Sequence, residues 1–94
     1  MKALLVSYDL KNANMNQKNK IHTTLYDYKD YSNGGRYNYE RKGLLSRIPS
    51  IKLNRGVFII KLDHKKEVLS VLKKNKANLR TILIEIPESL LKES

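Results

Sequence analysis

The chain has 94 residues, 19 basic and 9 acidic side chains, a formal net charge of +10 and no cysteine. That length gives room for one domain, residues 1–94, with one modest core. The lack of cysteine excludes a disulfide framework and a thiolate metal site. No apolar run approaches the roughly 18 residues of a membrane span, so the expected setting is cytoplasmic, with no membrane partner.

The N-terminal stretch from Met1 to Asp9 carries one lysine and a short apolar run but no small-residue cleavage site, so it reads as a mature strand rather than a secretion signal. Residues 3–10 are that strand, with Leu4, Val6, Tyr8 and Leu10 on one face and Ala3, Leu5, Ser7 and Asp9 on the other. Both faces are apolar near its start, as in a covered central strand, and it ends on an acid. Residues 11–20 are polar and Asn-rich and read as a loop. Ile21 to Tyr31 fits a helix with Ile21, Leu25 and Tyr28 on one side, although Thr23-Thr24 and the Tyr/Asp alternation also fit extended chain. Ser32-Asn33-Gly34-Gly35 is a break. Tyr39 to Ile48 reads as a helix with Leu44, Leu45 and Ile48 as its apolar stripe, ended by Pro49.

Ile51 to Leu53 is a short strand, Asn54-Arg55-Gly56 a turn or bulge, and Val57 to Leu62 a β-branched strand. Asp63 suits a helix N-cap, and from His64 to Lys74 the residues Val68, Leu69, Val71 and Leu72 gather on one face. Asn75 to Asn78 is a loop. Thr81 to Ile86 is a strand with Ile82, Ile84 and Ile86 on one face; Pro87 stops it and opens a short C-terminal helix. The order is that of an α+β, ferredoxin-like βαββαβ domain, with an antiparallel sheet, both helices on one face and the other face left to solvent or a partner. Residues 11–38 form a basic, Tyr-rich insertion after the first strand.

The charge is uneven. Residues 11–56 hold ten Lys/Arg against three acids, and five of the six tyrosines. Cations interleaved with aromatics suit nucleic acid, DNA or RNA, because the cations meet phosphates and the rings stack on unpaired bases. Lys18, Lys20, Arg36, Arg41, Lys42, Arg47 and Arg55 are the candidate phosphate contacts, and Tyr37 and Tyr39 the candidate stacking residues. A plainer account stays open beside this one: a Lys/Asn/Ile-rich bias supplies the charge, and the tyrosines form a half-buried face.

Asp9 is the sharpest chemical candidate. A carboxylate at the end of a central strand can hold a hard divalent cation such as magnesium, which polarises a phosphate and activates water. One carboxylate builds no metal site alone; a two-fold dimer would bring two copies of Asp9 together. Spacing by itself favours a simpler role, capping the following loop through its backbone amides. His22 is a weaker candidate for proton transfer, and His64 a solvated side chain. No nucleophile elbow, phosphate-binding Gly loop or zinc motif is present.

Leu5-Val6-Ser7-Tyr8-Asp9-Leu10 resembles the first strand of the small CRISPR adaptation protein family, partners of the integrase in spacer acquisition. Residues 53–62 resemble its next landmark, a Val-Phe strand after a short turn, with Gly56 where serine is common. The wider superfamily includes VapD-type ribonuclease toxins and SinR-like proteins, and the SinR-like pattern is the nearest. The resemblance implies a ferredoxin-like homodimer and, for many members, a magnesium-dependent endoribonuclease or endodeoxyribonuclease in which the catalytic, metal-holding aspartate matches Asp9. The competing expectation is a non-catalytic phage- or virus-type protein that regulates or inhibits a host or CRISPR complex.

Overall fold

The computed structural model describes residues 1–32 and 37–91. It is a mixed α+β structure. In chain order come strand β1 (Lys2–Asp9), helix α1 (Met15–Leu25), strands β2 (Tyr28–Ser32) and β3 (Tyr37–Arg41), the short helix α2 (Leu44–Arg47), strands β4 (Ser50–Asn54) and β5 (Val57–Lys61), helix α3 (Lys65–Lys74) and strand β6 (Asn78–Glu85). A 3₁₀ turn at Leu62–His64 leads into α3, and another at Glu88–Leu91 follows β6.

The main sheet has the order β4-β5-β1-β6, and every neighbouring pair is antiparallel. β1 is therefore central, as its two apolar faces require. Its inward set, Leu4 and Val6, is buried with Phe58 and Ile60 of β5 against Ile21 and Leu25 of α1, Leu45 of α2, and Val68, Leu69 and Leu72 of α3. All three helices thus pack on one face. The opposite face carries a second cluster, with Ala3, Ile59 and Leu91 buried and Leu5, Ile51, Ile84 and Ile86 half-covered around them. This face is not wholly left to solvent: the final 3₁₀ turn lays Leu91 across it.

Four expectations are corrected. The first helix starts at Met15, inside the segment read as a loop, because Asn14 and Gln17 form a reciprocal capping box: the Gln17 amide donates to Asn14 Oδ1 at 2.8 Å, and the Asn14 amide to Gln17 Oε1 at 2.9 Å. The helix ends at Leu25, so Tyr28 to Tyr31 is extended chain. The stretch from Tyr39 is not helical either; residues 39–41 are strand, and only Leu44–Arg47 forms a turn of helix. The β2–β3 hairpin, a two-stranded sheet apart from the main one, and α2 stand between α1 and β4. Asp63 lies in the 3₁₀ turn, and α3 begins without a side-chain cap.

The hairpin is anchored at its base. Asp27 Oδ1 accepts from the Gly43 amide at 2.8 Å, just ahead of α2. Gly43 packs so closely on the backbone of Leu25 and Tyr26 that a Cβ there would overlap it. Among the described residues no helix is long and apolar enough to cross a membrane.

Candidate functional site

Three segments distant in sequence meet at the C-terminal end of β1: the end of that strand, the exposed side of α1, and the β4–β5 turn. The contact with the turn is backbone to backbone. The Tyr8 amide donates to the Gly56 carbonyl at 2.8 Å. Gly56 has φ +77°, and a Cβ there would lie 2.7 Å from the Tyr8 carbonyl oxygen, so glycine is needed for both conformation and space. The contact with the helix is through side chains. The Tyr8 and Tyr26 hydroxyls are 2.8 Å apart, and the Tyr8 ring stands edge-on to Phe58 at 6.2 Å. Burial pushes the Tyr8 phenol well above its ordinary range, the Tyr26 hydroxyl adds to this, and nearby Arg55 opposes it.

Between these segments runs an open groove of about 1090 Å³. Among the described residues, its cations are Lys18 from α1, Lys52 from β4 and Arg55 from the turn, and Asp9 is the one acid in its lining. The Lys52 ammonium lies 5.8 Å from the centre of the Tyr26 ring, whose neighbour on α1, His22, rests against it at 5.6 Å with a tilt of 33°. Two apolar side chains that line the groove are more than half exposed: Met15 at 68% and Leu53 at 55%.

Asp9 is exposed at the groove's rim. Its Oδ1 accepts from Asn78 Nδ2 at 2.9 Å and from the Lys11 amide at 3.2 Å; Asn12 Nδ2 in turn donates to Asn78 Oδ1 at 3.2 Å. Asp9 and Asn78 are partners in the β1–β6 ladder. The Asn78 bond first, and the Lys11 amide second, hold the carboxyl below its ordinary value. This is the loop-capping arrangement: Asp9 fastens the β1–α1 connection to the start of β6. Among the described residues no three His, Cys, Asp or Glu side chains gather as a metal site. The donor set of one chain around Asp9, a single carboxylate beside Asn78 and Lys11, does not compose a magnesium shell.

Of the seven basic residues singled out from sequence, Lys18 and Arg55 come together in the groove with Asp9. Lys20 is exposed on α1 outside its lining, and Arg47 is exposed at the end of α2. Arg41 is drawn to Asp30 (Nε to Oδ2, 3.5 Å) and sits 5.8 Å over the Tyr39 ring; Lys42 faces Asp27 at 3.8 Å. Tyr39 is exposed on β3, away from the groove. Tyr37 lies in the same strand, with its side chain outside the described set, and Arg36 is outside the described residues.

Lys52, His22, Tyr26, Met15 and Leu53 escaped the sequence reading as groove residues. The spacing of His22 and Tyr26, four apart in a stretch that fits a helix, was the one available signal, but spacing alone does not say that this pair faces the β4–β5 turn. No family model, curated protein or solved structure matches the chain.

Proposed function

We propose that this protein is a ferredoxin-like nucleic-acid-binding domain whose phosphate-contacting surface is the groove at the end of β1. The observation that carries the reading is the convergence of Lys18, Lys52 and Arg55 on one concave surface that holds a single acid, in a chain of net charge +10. The β4-β5-β1-β6 order, with helices on one face, supports the ferredoxin-like assignment, the β2–β3 hairpin being an addition to it. The resemblance to the CRISPR adaptation and SinR-like proteins agrees with this reading and adds a homodimer to it. Catalysis is not part of it, because Asp9 is engaged as a loop cap.

Fluorescence anisotropy with a labelled oligonucleotide over a salt series tests the reading. Affinity should fall steeply with salt. Each phosphate contact removed by Lys18→Ala, Lys52→Ala or Arg55→Ala should reduce the slope of log K against log salt by about 0.7–0.9. No binding at low salt, or charge-reversed variants that bind normally, would discard it. Asp9→Asn should bind slightly more tightly, since the groove loses its one acid. Magnesium-dependent cleavage that vanishes in Asp9→Asn would replace it with the nuclease reading, in which two chains pair their Asp9 residues.

A second reading draws on the hairpin, a two-stranded sheet of its own, apart from the main sheet. A protein acting by docking on a host complex through that hairpin would bind its partner normally with the groove cations removed.

A further inference from the structure

The groove carries more than charge, and its uncharged lining has a chemistry of its own. Met15 and Leu53 are held more than half exposed beside lysines and an arginine, so this surface offers apolar contact as well as charge, and covering that apolar area on binding is favourable. Both lie on the groove's wall, Met15 at the start of α1 and Leu53 before the β4–β5 turn. With them is an exposed ring, His22, one helical turn from Tyr26 and resting on it. Tyr26 is itself fixed: its hydroxyl meets that of Tyr8 at 2.8 Å, and its backbone amide caps α1 by donating to the His22 carbonyl at 3.0 Å. An exposed imidazole resting on an immobilised phenol, in a groove that a thioether and an isobutyl side chain also line, is a preformed surface for a flat apolar face. The cations at the same surface select a ligand whose flat groups are strung on an anionic chain. The groove is open to solvent along its length, so a chain longer than one nucleotide can lie in it.

We propose that Met15, His22, Tyr26 and Leu53 form a base-binding subsite, and that the groove consequently takes an unpaired strand in preference to a duplex. The inference rests on the nucleic-acid reading of the same groove and names which form of the polymer enters it. In a duplex the base faces are stacked on one another and cannot reach His22, whereas a single strand can lay a base against it while Lys18, Lys52 and Arg55 hold the flanking phosphates. Stacking of this kind tolerates any base, so the preference is for strandedness over sequence.

The test compares a labelled oligothymidylate with a duplex of similar phosphate number, by anisotropy at one fixed low salt concentration, for the parent chain, His22→Ala and the double variant Met15→Ser/Leu53→Ser. All three positions are exposed, so these changes leave the core intact, and circular dichroism checks that they do. The single strand should bind the parent more tightly than the duplex. His22→Ala should lose at least about fivefold for the single strand, the low end of what one base–aromatic stack contributes, Met15→Ser/Leu53→Ser should also weaken the single strand, and both should change the duplex little. Equal affinity for both forms, or variants that bind the single strand like the parent, overturns the subsite while leaving the basic groove in place. Failure to bind either form overturns the groove and the subsite together.

Discussion

The hydroxyl groups of Tyr8 and Tyr26 lie 2.8 Å apart, joining the end of the central strand to the cap of helix α1. This one bond shapes the groove's floor, because it fixes the ring against which His22 and Lys52 rest.

Removing it has a measurable consequence. Tyr8→Phe should destabilise the fold by about 1 kcal/mol, the usual net worth of a neutral hydrogen bond, and lower the thermal midpoint by about 4–8 °C for a domain of this size. Burial of the Tyr8 phenol, with this bond adding to it, also sets a pH dependence. An unfolded tyrosine ionises near pH 10, while folded Tyr8 holds its proton to higher pH. Stability therefore declines as pH rises past about 10, since only the unfolded chain gains the charged form. The decline should be shallower in Tyr8→Phe, measured by urea denaturation at a series of alkaline pH values.

Gly56 should tolerate no side chain. Its φ of +77° and the 2.7 Å approach of a Cβ to the Tyr8 carbonyl oxygen both oppose substitution. Gly56→Ala is expected to cost about 2 kcal/mol or more, read from the urea midpoint. A loss within about 0.5 kcal/mol, the range of an ordinary surface change, would contradict the close contact.

The Asp9 carboxyl should titrate below an ordinary aspartate in carbon-detected NMR, and Asn78→Ala should raise its midpoint, because the Asn78 bond is the largest cause of the shift. A midpoint unmoved by Asn78→Ala would show that the cap is not formed in solution.

Asp27 predicts an acid weakness in the hairpin. Its carboxyl is depressed first by the Gly43 amide and then by the Ser46 hydroxyl. The stabilisation it gives is present above an unfolded aspartate's value of about 3.9 and is lost as pH falls through the lower folded one. Amide exchange at Gly43 should be faster in Asp27→Ala than in the parent at neutral pH, and the difference should shrink as acid protonates Asp27.

The strand-by-strand order was legible because β1, β5 and β6 are written in β-branched and aliphatic residues with clear turns between them. The same holds for α3, where Val68, Leu69 and Leu72 recur at helical spacing and are all buried. The region between was not. α1 buries only Ile21 and Leu25 in its eleven residues, so it lacks an apolar stripe, and its start depends on an Asn-x-x-Gln capping pair easily passed over in Asn-rich sequence. Leu44 and Leu45 do lie in a helix, with Ile48 as its C-cap, but that helix has only four residues. At the site, the role of Asp9 as a cap was readable from its position before a polar loop. The groove was not readable, because its lining depends on which residues one backbone contact, to Gly56, and one side-chain contact, to Tyr26, bring beside Tyr8.

Those contacts join residues near positions 8, 26 and 56, which span more than half the chain. The groove therefore has no local version: no fragment, hairpin or isolated helix contains it, and it exists only when the sheet has closed. Occupancy and folding are then one thermodynamic cycle. A strand bound in the groove must raise the unfolding midpoint in proportion to the logarithm of its concentration. The unfolded chain keeps its charge of +10 and holds polyanions too, so the rise will be smaller than the groove's own affinity would give.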